Sequence, residues 1–217
     1  MNDKQTAETW SIDTDTPLQA VLDSPDCPPL LHHSLIGPLS WQARNETSLR
    51  TTLKSPRVAP QWIAALLALG AAVTIEGEDG QPVQVTLEEV VQRRTRSQAM
   101  ALHIPTKGLR WGEARVVRTP ADEPIVAATA VVEMKNDIVQ QARVALTGAG
   151  SEPARLAEPA ALLAGGPLNA DRIQAVAAAV EAAVEPTGDF MGSAEYRRAM
   201  AGVLTRRALE QCQSQEI

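Results

Sequence analysis

Gly188-Asp189-Phe190-Met191-Gly192-Ser193-Ala194-Glu195-Tyr196-Arg197-Arg198, continued by Val203-Leu204-Thr205-Arg206-Arg207-Ala208-Leu209, is the most informative segment of this chain. Ser193 is placed to cap a final helix, because a serine hydroxyl can accept from the unpaired N–H groups of a first helical turn. The helix that follows has an apolar face carrying Met200, Val203 and Leu204. At helical spacing Arg197 and Arg207 fall on or beside that face. A buried arginine needs a carboxylate partner. Asp189, Glu158 and Glu133 are the candidates, so both arginines are expected to form fold-organising ion pairs rather than to act in catalysis.

Upstream, Asn169 is an N-cap with Asp171 in the first turn. Ile173, Val176, Val180 and Val184 make a helical stripe, and Pro186 stops it. A further helix is expected from Pro153 to Leu163, ended by Gly165-Gly166. Before it, 113–118, 125–133 and 139–146 alternate or are rich in β-formers, with a turn at Lys135-Asn136-Asp137. They predict an antiparallel three-stranded meander with one solvated face. Ala99 to Ile104 is another strand. Ala72-Val73-Thr74-Ile75 and Val83-Gln84-Val85, joined by a turn at Glu78-Asp79-Gly80-Gln81, read as a hairpin. Thr86 and Glu89 form a capping box. Pro60 opens a helix, apolar nearly all round, that stops at Gly70 and is therefore expected to be buried. A short helix from Pro28 to Ile36 ends at Gly37-Pro38. Residues 1–16 are either a loose polar arm or an edge strand around Trp10-Ser11-Ile12. Strands first and helices after predict an α+β fold.

The chain has 217 residues, 44% apolar and 21% charged, which suffices for a sizeable core. Aromatics are only 3%, so alanine, valine and leucine must fill it. A formal charge of -6 argues against a phosphate-backbone binder and gives no reason to expect an anionic membrane surface. No secretory signal is visible, and the longest apolar run, Trp62 to Ala72, is too short to span a bilayer. The expected location is the cytoplasm. Cys27 and Cys212, without a secretory signal, are not expected to pair. His32 and His33 point about 100° apart on a helix and lack neighbouring ligands, so they and the lone strand histidine His103 are read as structural. No metal site and no catalytic constellation is expected.

The 188–198 stretch resembles the last helix of the FAD-binding (medium) subunits of molybdenum hydroxylases, the family around carbon monoxide dehydrogenase and xanthine dehydrogenase. The likeness extends over residues 17–212: Leu18-Gln19-Ala20-Val21-Leu22, Pro29-Leu30-Leu31, Ala64 to Ala71, Arg143 to Gly148, Pro153-Ala154-Arg155 and Leu162 to Gly165 each match a family segment in order. The resemblance divides the chain into a polar arm at 1–16, a remnant of the flavoprotein middle domain at 17–105, and a carboxyl-terminal domain at 106–217.

A second family signature is altered. Residues 44–52 read Arg44-Asn45-Glu46-Thr47-Ser48-Leu49-Arg50-Thr51-Thr52, where the family pattern is Arg-Asn-x-Gly-Thr-x-Gly-Gly-Asn, a flavin-contacting turn. Thr47, Arg50 and Thr51 replace its glycines. Glycine permits positive φ and lets backbone N–H groups approach a pyrophosphate; β-branched threonine does neither cheaply. No carboxylate stands near Gln61, where the family places an aspartate, and the Ala-Gly-Gly phosphate loop of the family's first domain is not found. The resemblance thus leaves Arg44, Asn45, Ser48 and Arg50 as candidate flavin contacts of a degenerate motif, with Arg50 able to meet a phosphate directly. Asp189, Ser193, Glu195, Tyr196, Arg197 and Arg207 are expected to be structural. The leading expectation is an accessory homologue without cofactor, acting through protein contacts: self-association, or docking on molybdenum and iron–sulfur subunits. The alternative is an FAD-binding electron-transfer subunit whose missing flavin lobe comes from another chain. A third is a small-molecule binder reusing the vacated cleft.

Overall fold

A computed structural model describes residues 9–36, 38–93, 98–106, 108–119 and 122–215; the expectations for residues 1–8 and for Gly37 lie outside these. The chain builds two four-stranded antiparallel sheets. The first contains β1 (Thr9–Asp13), β2 (Ala72–Glu76), β3 (Pro82–Thr86) and β4 (Ala99–Pro105), in the order β1-β4-β2-β3. Of the two readings for the polar start, the edge strand is the one found: Trp10 lies opposite Ile104 and Ile12 opposite Leu102. The hairpin β2–β3 forms in the expected register, with Val73 opposite Val85.

Between β1 and β2 run five short helices: α1 (Leu18–Leu22), α2 (Pro29–Leu35), α3 (Trp41–Glu46), α4 (Leu49–Lys54) and α5 (Pro60–Leu69). All ten residues of α5 are buried. Its start at Pro60 and its stop at Gly70, which adopts φ 73°, follow from local chemistry. The capping box opens α6 (Leu87–Arg93), where Glu89 N donates to Thr86 Oγ1 at 3.2 Å and Thr86 N donates to Glu89 Oε2 at 3.0 Å.

The second sheet is β5 (Leu109–Val116), β6 (Val126–Lys135), β7 (Ile138–Thr147) and β8 (Arg155–Leu156), in sequence order. The expected meander gains a fourth, two-residue strand. The helix expected from Pro153 to Leu163 is therefore not formed. Pro153 and Pro159 interrupt it, leaving β8 and a 3-10 segment over Glu158–Leu163. One face of this sheet covers α5, so Val131 and Ala145 share the core of Trp62, Ile63 and Leu66. The other face carries α7 (Ala170–Ala183) and α8 (Ala194–Ser214) over a second core that includes Val132, Val144, Val176 and Leu204. The stripe Ile173, Val176, Val180 and Val184 is buried as its spacing predicts.

α8 lies flush on β5. A Cβ on Gly112 would sit 2.1 Å from the carbonyl oxygen of Ala208, so only glycine permits this approach. Gln211 of α8 and Gln215, the residue just after that helix, also reach β5's outer edge. Gln211 accepts from Glu113 N and donates to Glu113 O, both at 2.9 Å, and Gln215 accepts from Trp111 N at 3.0 Å. The Gln211 amide thus makes the paired exchange that a residue of a neighbouring strand would make.

Candidate functional site

Residues 44–52 do not form a glycine-type turn. They span the end of α3, the junction Thr47-Ser48 and the start of α4. Each candidate flavin contact is committed to this chain's own architecture. Arg44 Nε donates to Gln19 Oε1 at 2.8 Å, and its Nη1 donates to the carbonyl of Leu39. Asn45 Nδ2 donates to the Trp41 carbonyl one turn back at 2.8 Å. Ser48 is the N-cap of α4, its hydroxyl accepting from Thr51 N. Arg50 makes a two-point pair with Asp15, at 2.6 and 2.8 Å.

The backbone of the segment is equally occupied. Leu49 N donates to Thr16 O at 3.0 Å and Arg50 N to Thr14 O at 2.7 Å; Thr51 N and Thr52 N both reach Ser48 O. A pyrophosphate cradle needs several amide N–H groups free and converging. Here four successive amides are bonded to carbonyls of this chain, so residues 49–52 do not fit the phosphates of FAD. In this structure Asp15 holds the Arg50 guanidinium. Nothing local in the sequence announces that pair, since 35 residues separate the two.

A second concave feature lies at the start of α5. A cavity of about 70 Å³ is lined by Ser34, Leu39, Arg57, Ala59, Gln61 and Glu123 among others. α5 has no side-chain cap. Gln61 is buried; its Nε2 lies 3.4 Å from Thr147 Oγ1, a long contact, and its Oε1 has no protein partner. Gln61 thereby places the start of α5 beside the end of β7.

The 188–198 segment meets the second sheet at that same end. Arg197, 7% exposed, donates to Ile125 O at 2.6 Å, Gly148 O at 3.1 Å and Asp189 Oδ2 at 2.7 Å. Gly148 has φ 70°, and a Cβ there would lie 2.0 Å from Ile125 O, which the sequence reading passed over. Asp189 Oδ1 accepts from Met191 N at 2.8 Å and Gly192 N at 3.2 Å, closing a tight turn. Ser193 caps α8 by accepting from Tyr196 N at 3.2 Å. Tyr196 packs beside Gly192, and Glu195 is exposed. Of the two arginines expected to be buried, Arg207 is not. It is exposed, lines an open trough beside Trp111 and Arg115, and takes part in none of the described ion pairs. Ten residues from Arg197 is about 80° away around a helix, enough to leave the buried stripe.

Hydrogen bonds from Arg197, Met191 and Gly192 hold the Asp189 carboxyl below the usual carboxylate range, and bonds at the helix start do the same for Glu195. Both groups therefore add stability that is fully present above the unfolded value, about 4, and is lost as pH falls through the lower folded value. Unfolding measured between neutral and strongly acidic pH is expected to show this loss. Asp189→Asn is expected to flatten the acid limb; an unchanged limb contradicts the assignment.

The histidines are structural in geometry. His32 Nε2 meets Leu22 O at 2.8 Å, the His33 ring lies 5.3 Å from that of Trp111, and His103 bridges Ser11 and Thr74 at 2.8 and 2.7 Å. Both cysteines are free, and burial pushes each thiol up to about 12. Among the described residues no group of three potential metal ligands assembles, and no helix is long and apolar enough to cross a membrane.

This mixed fold with its antiparallel sheets matches that of the carbon monoxide dehydrogenase medium-chain flavoprotein. Residues 115–212 match the CO dehydrogenase flavoprotein C-terminal domain, and the chain is similar to proteins named carbon monoxide dehydrogenase medium chain and nicotine 6-hydroxylase medium subunit. It is 23% identical over 189 residues to the glyceraldehyde dehydrogenase medium chain of Sulfolobus acidocaldarius, covering 84% of this chain and 67% of that one. It is 27% identical over 158 residues to the carbon monoxide dehydrogenase medium chain of Afipia carboxidovorans, covering 70% and 55%. A solved carbon monoxide dehydrogenase from Hydrogenophaga pseudoflava superposes with a TM-score of 0.79 at 25% identity, covering 95% of this chain and 75% of that one. The chain thus spans between about half and two thirds of these two curated relatives.

Proposed function

We propose that the chain serves as the medium component of a molybdenum hydroxylase assembly, seated against molybdenum and iron–sulfur subunits through protein contacts. The observation that carries this is the correspondence of 95% of the chain with a chain of carbon monoxide dehydrogenase. The relatives favour a flavin-bearing version of the reading. In it the chain is the electron-transfer subunit of a molybdopterin-dependent oxidoreductase, and another polypeptide grips the phosphates of FAD. The occupied amides of residues 49–52 favour a second version, in which the chain docks without flavin. Both versions leave the pyrophosphate outside this segment.

The test is FAD titration followed by fluorescence quenching and the visible spectrum, on the chain alone and on the assembly purified after co-expression with its molybdenum and iron–sulfur subunits. The chain alone is expected to stay colourless. One FAD per medium chain in the assembly supports the flavin-bearing version, and a colourless assembly supports the docking version. Stoichiometric FAD on the isolated chain, weakened by Arg50→Ala, overturns both.

A further inference from the structure

The short strand β8 carries a charged side chain to a hollow that neither feature described above uses. A cavity of about 260 Å³ lies between the last turn of α5, α6 and the segment 151–158. It shares no lining residue with the cavity at Gln61 or with residues 44–52. Part of its wall is apolar: Leu67, Val91, Ala154 and Leu156. Charged groups make up much of the rest. Arg155 is half-buried, and its stem lies along Gly150, where a Cβ would sit 3.4 Å from Arg155 Cδ. Glu88 is half-buried and accepts from Gln92 Nε2 at 2.9 Å, while Glu152 and Glu158 are exposed. None of the described ion pairs joins Arg155 to these carboxylates, although all four groups line one space.

A guanidinium and a carboxylate within reach of each other close into a two-point pair. Here they stand apart across the cavity, and that separation restricts the occupant. An anion would satisfy Arg155 but face three carboxylates. A cation would satisfy the carboxylates but press on the guanidinium and leave its donors unpaired. A ligand with a carboxylate and an ammonium on one short frame meets both signs. The apolar part of the wall adds a place for an aliphatic side chain. Size points the same way, since drug-sized ligands take sites of roughly 300–1,000 Å³. This smaller space suits a molecule of amino-acid size.

We propose that this cavity binds a zwitterionic amino acid with an aliphatic side chain, its carboxylate on Arg155 and its ammonium toward Glu88, Glu152 and Glu158. The inference goes beyond the medium-component reading and does not depend on it. The experiment is isothermal titration calorimetry of the full chain with three probes. L-leucine carries both charges, 3-methylbutylamine keeps only the ammonium, and 4-methylpentanoate keeps only the carboxylate. L-leucine is expected to bind with a Kd below about 1 mM, and each single-charge probe at least ~10-fold more weakly. Arg155→Gln is expected to weaken L-leucine at least ~10-fold, the scale of a lost charged hydrogen bond, and to strengthen 3-methylbutylamine by removing a like charge. Arg155 takes part in none of the described ion pairs, so the variant should melt with the parent, which separates binding from folding. The double change Glu152→Gln, Glu158→Gln is expected to weaken L-leucine and 3-methylbutylamine together. L-leucine binding weaker than about 1 mM overturns the proposal. A single-charge probe that binds within ~10-fold of L-leucine overturns the dipolar ligand. L-leucine binding that Arg155→Gln leaves unchanged overturns the site.

Discussion

Arg197→Met is expected to lower the stability of the folded chain by about 2–4 kcal/mol, because buried carbonyls lose a charged donor. The guanidinium occupies the carbonyls of Ile125 and Gly148 and the carboxylate of Asp189. Methionine fills part of the volume but donates nothing, so two carbonyls at the sheet end lose their donor and the turn loses its clamp. Urea unfolding measures the loss. Asp189→Asn should cost less than Arg197→Met, because its amide still accepts from Met191 and Gly192, and because Asp189 is itself half exposed. The two changes should be clearly non-additive in a double-mutant cycle, since they share one hydrogen bond. Additive losses, or a loss below about 1 kcal/mol for Arg197→Met, would remove the network from its central place.

Trp62→Ala is expected to cost about 3–5 kcal/mol, as truncation of a buried tryptophan does when the cavity cannot collapse. Trp62 is fully buried on α5, which packs against two units, the first sheet and the second sheet with its covering helices. The loss should therefore affect the whole chain, with near-UV and far-UV circular dichroism falling together rather than one unit melting first. Trp62→Phe should cost much less, since Trp62 Nε1 has no protein partner and phenylalanine removes that orphan donor along with some volume. Two separated transitions in the Ala variant would mean that α5 does not couple the units.

The parts of this structure that were legible beforehand are those written in local chemistry. Pro60 and Gly70 bound a helix that has no polar face. Ser193, Asn169 and the Thr86–Glu89 box mark helix starts by hydroxyl, amide and carboxylate at fixed offsets. Asp189 was one of three carboxylates that could meet Arg197, and only the fold selects it over Glu158 and Glu133. What escaped is long-range. The pairing of β1 with β4 joins residues about ninety apart, and no periodicity encodes which strand an edge strand meets. The segment after Pro153 has helical composition, but two prolines and a short strand partner in β7 decide otherwise. The employment of the candidate flavin residues by Asp15, Gln19, Thr14 and Thr16 follows only from the folded chain.

The side-chain amides of Gln211 and Gln215, laid along the rim of β5, bear on how the protein behaves when concentrated. A strand with vacant amides templates the addition of like strands and so seeds ordered precipitates. Here the vacancy is filled from the same molecule by a helix that cannot leave without exposing Leu204 and Leu209 to water. At Trp111 and Glu113 this rim is therefore shielded from strand addition for as long as the carboxyl-terminal helix remains docked.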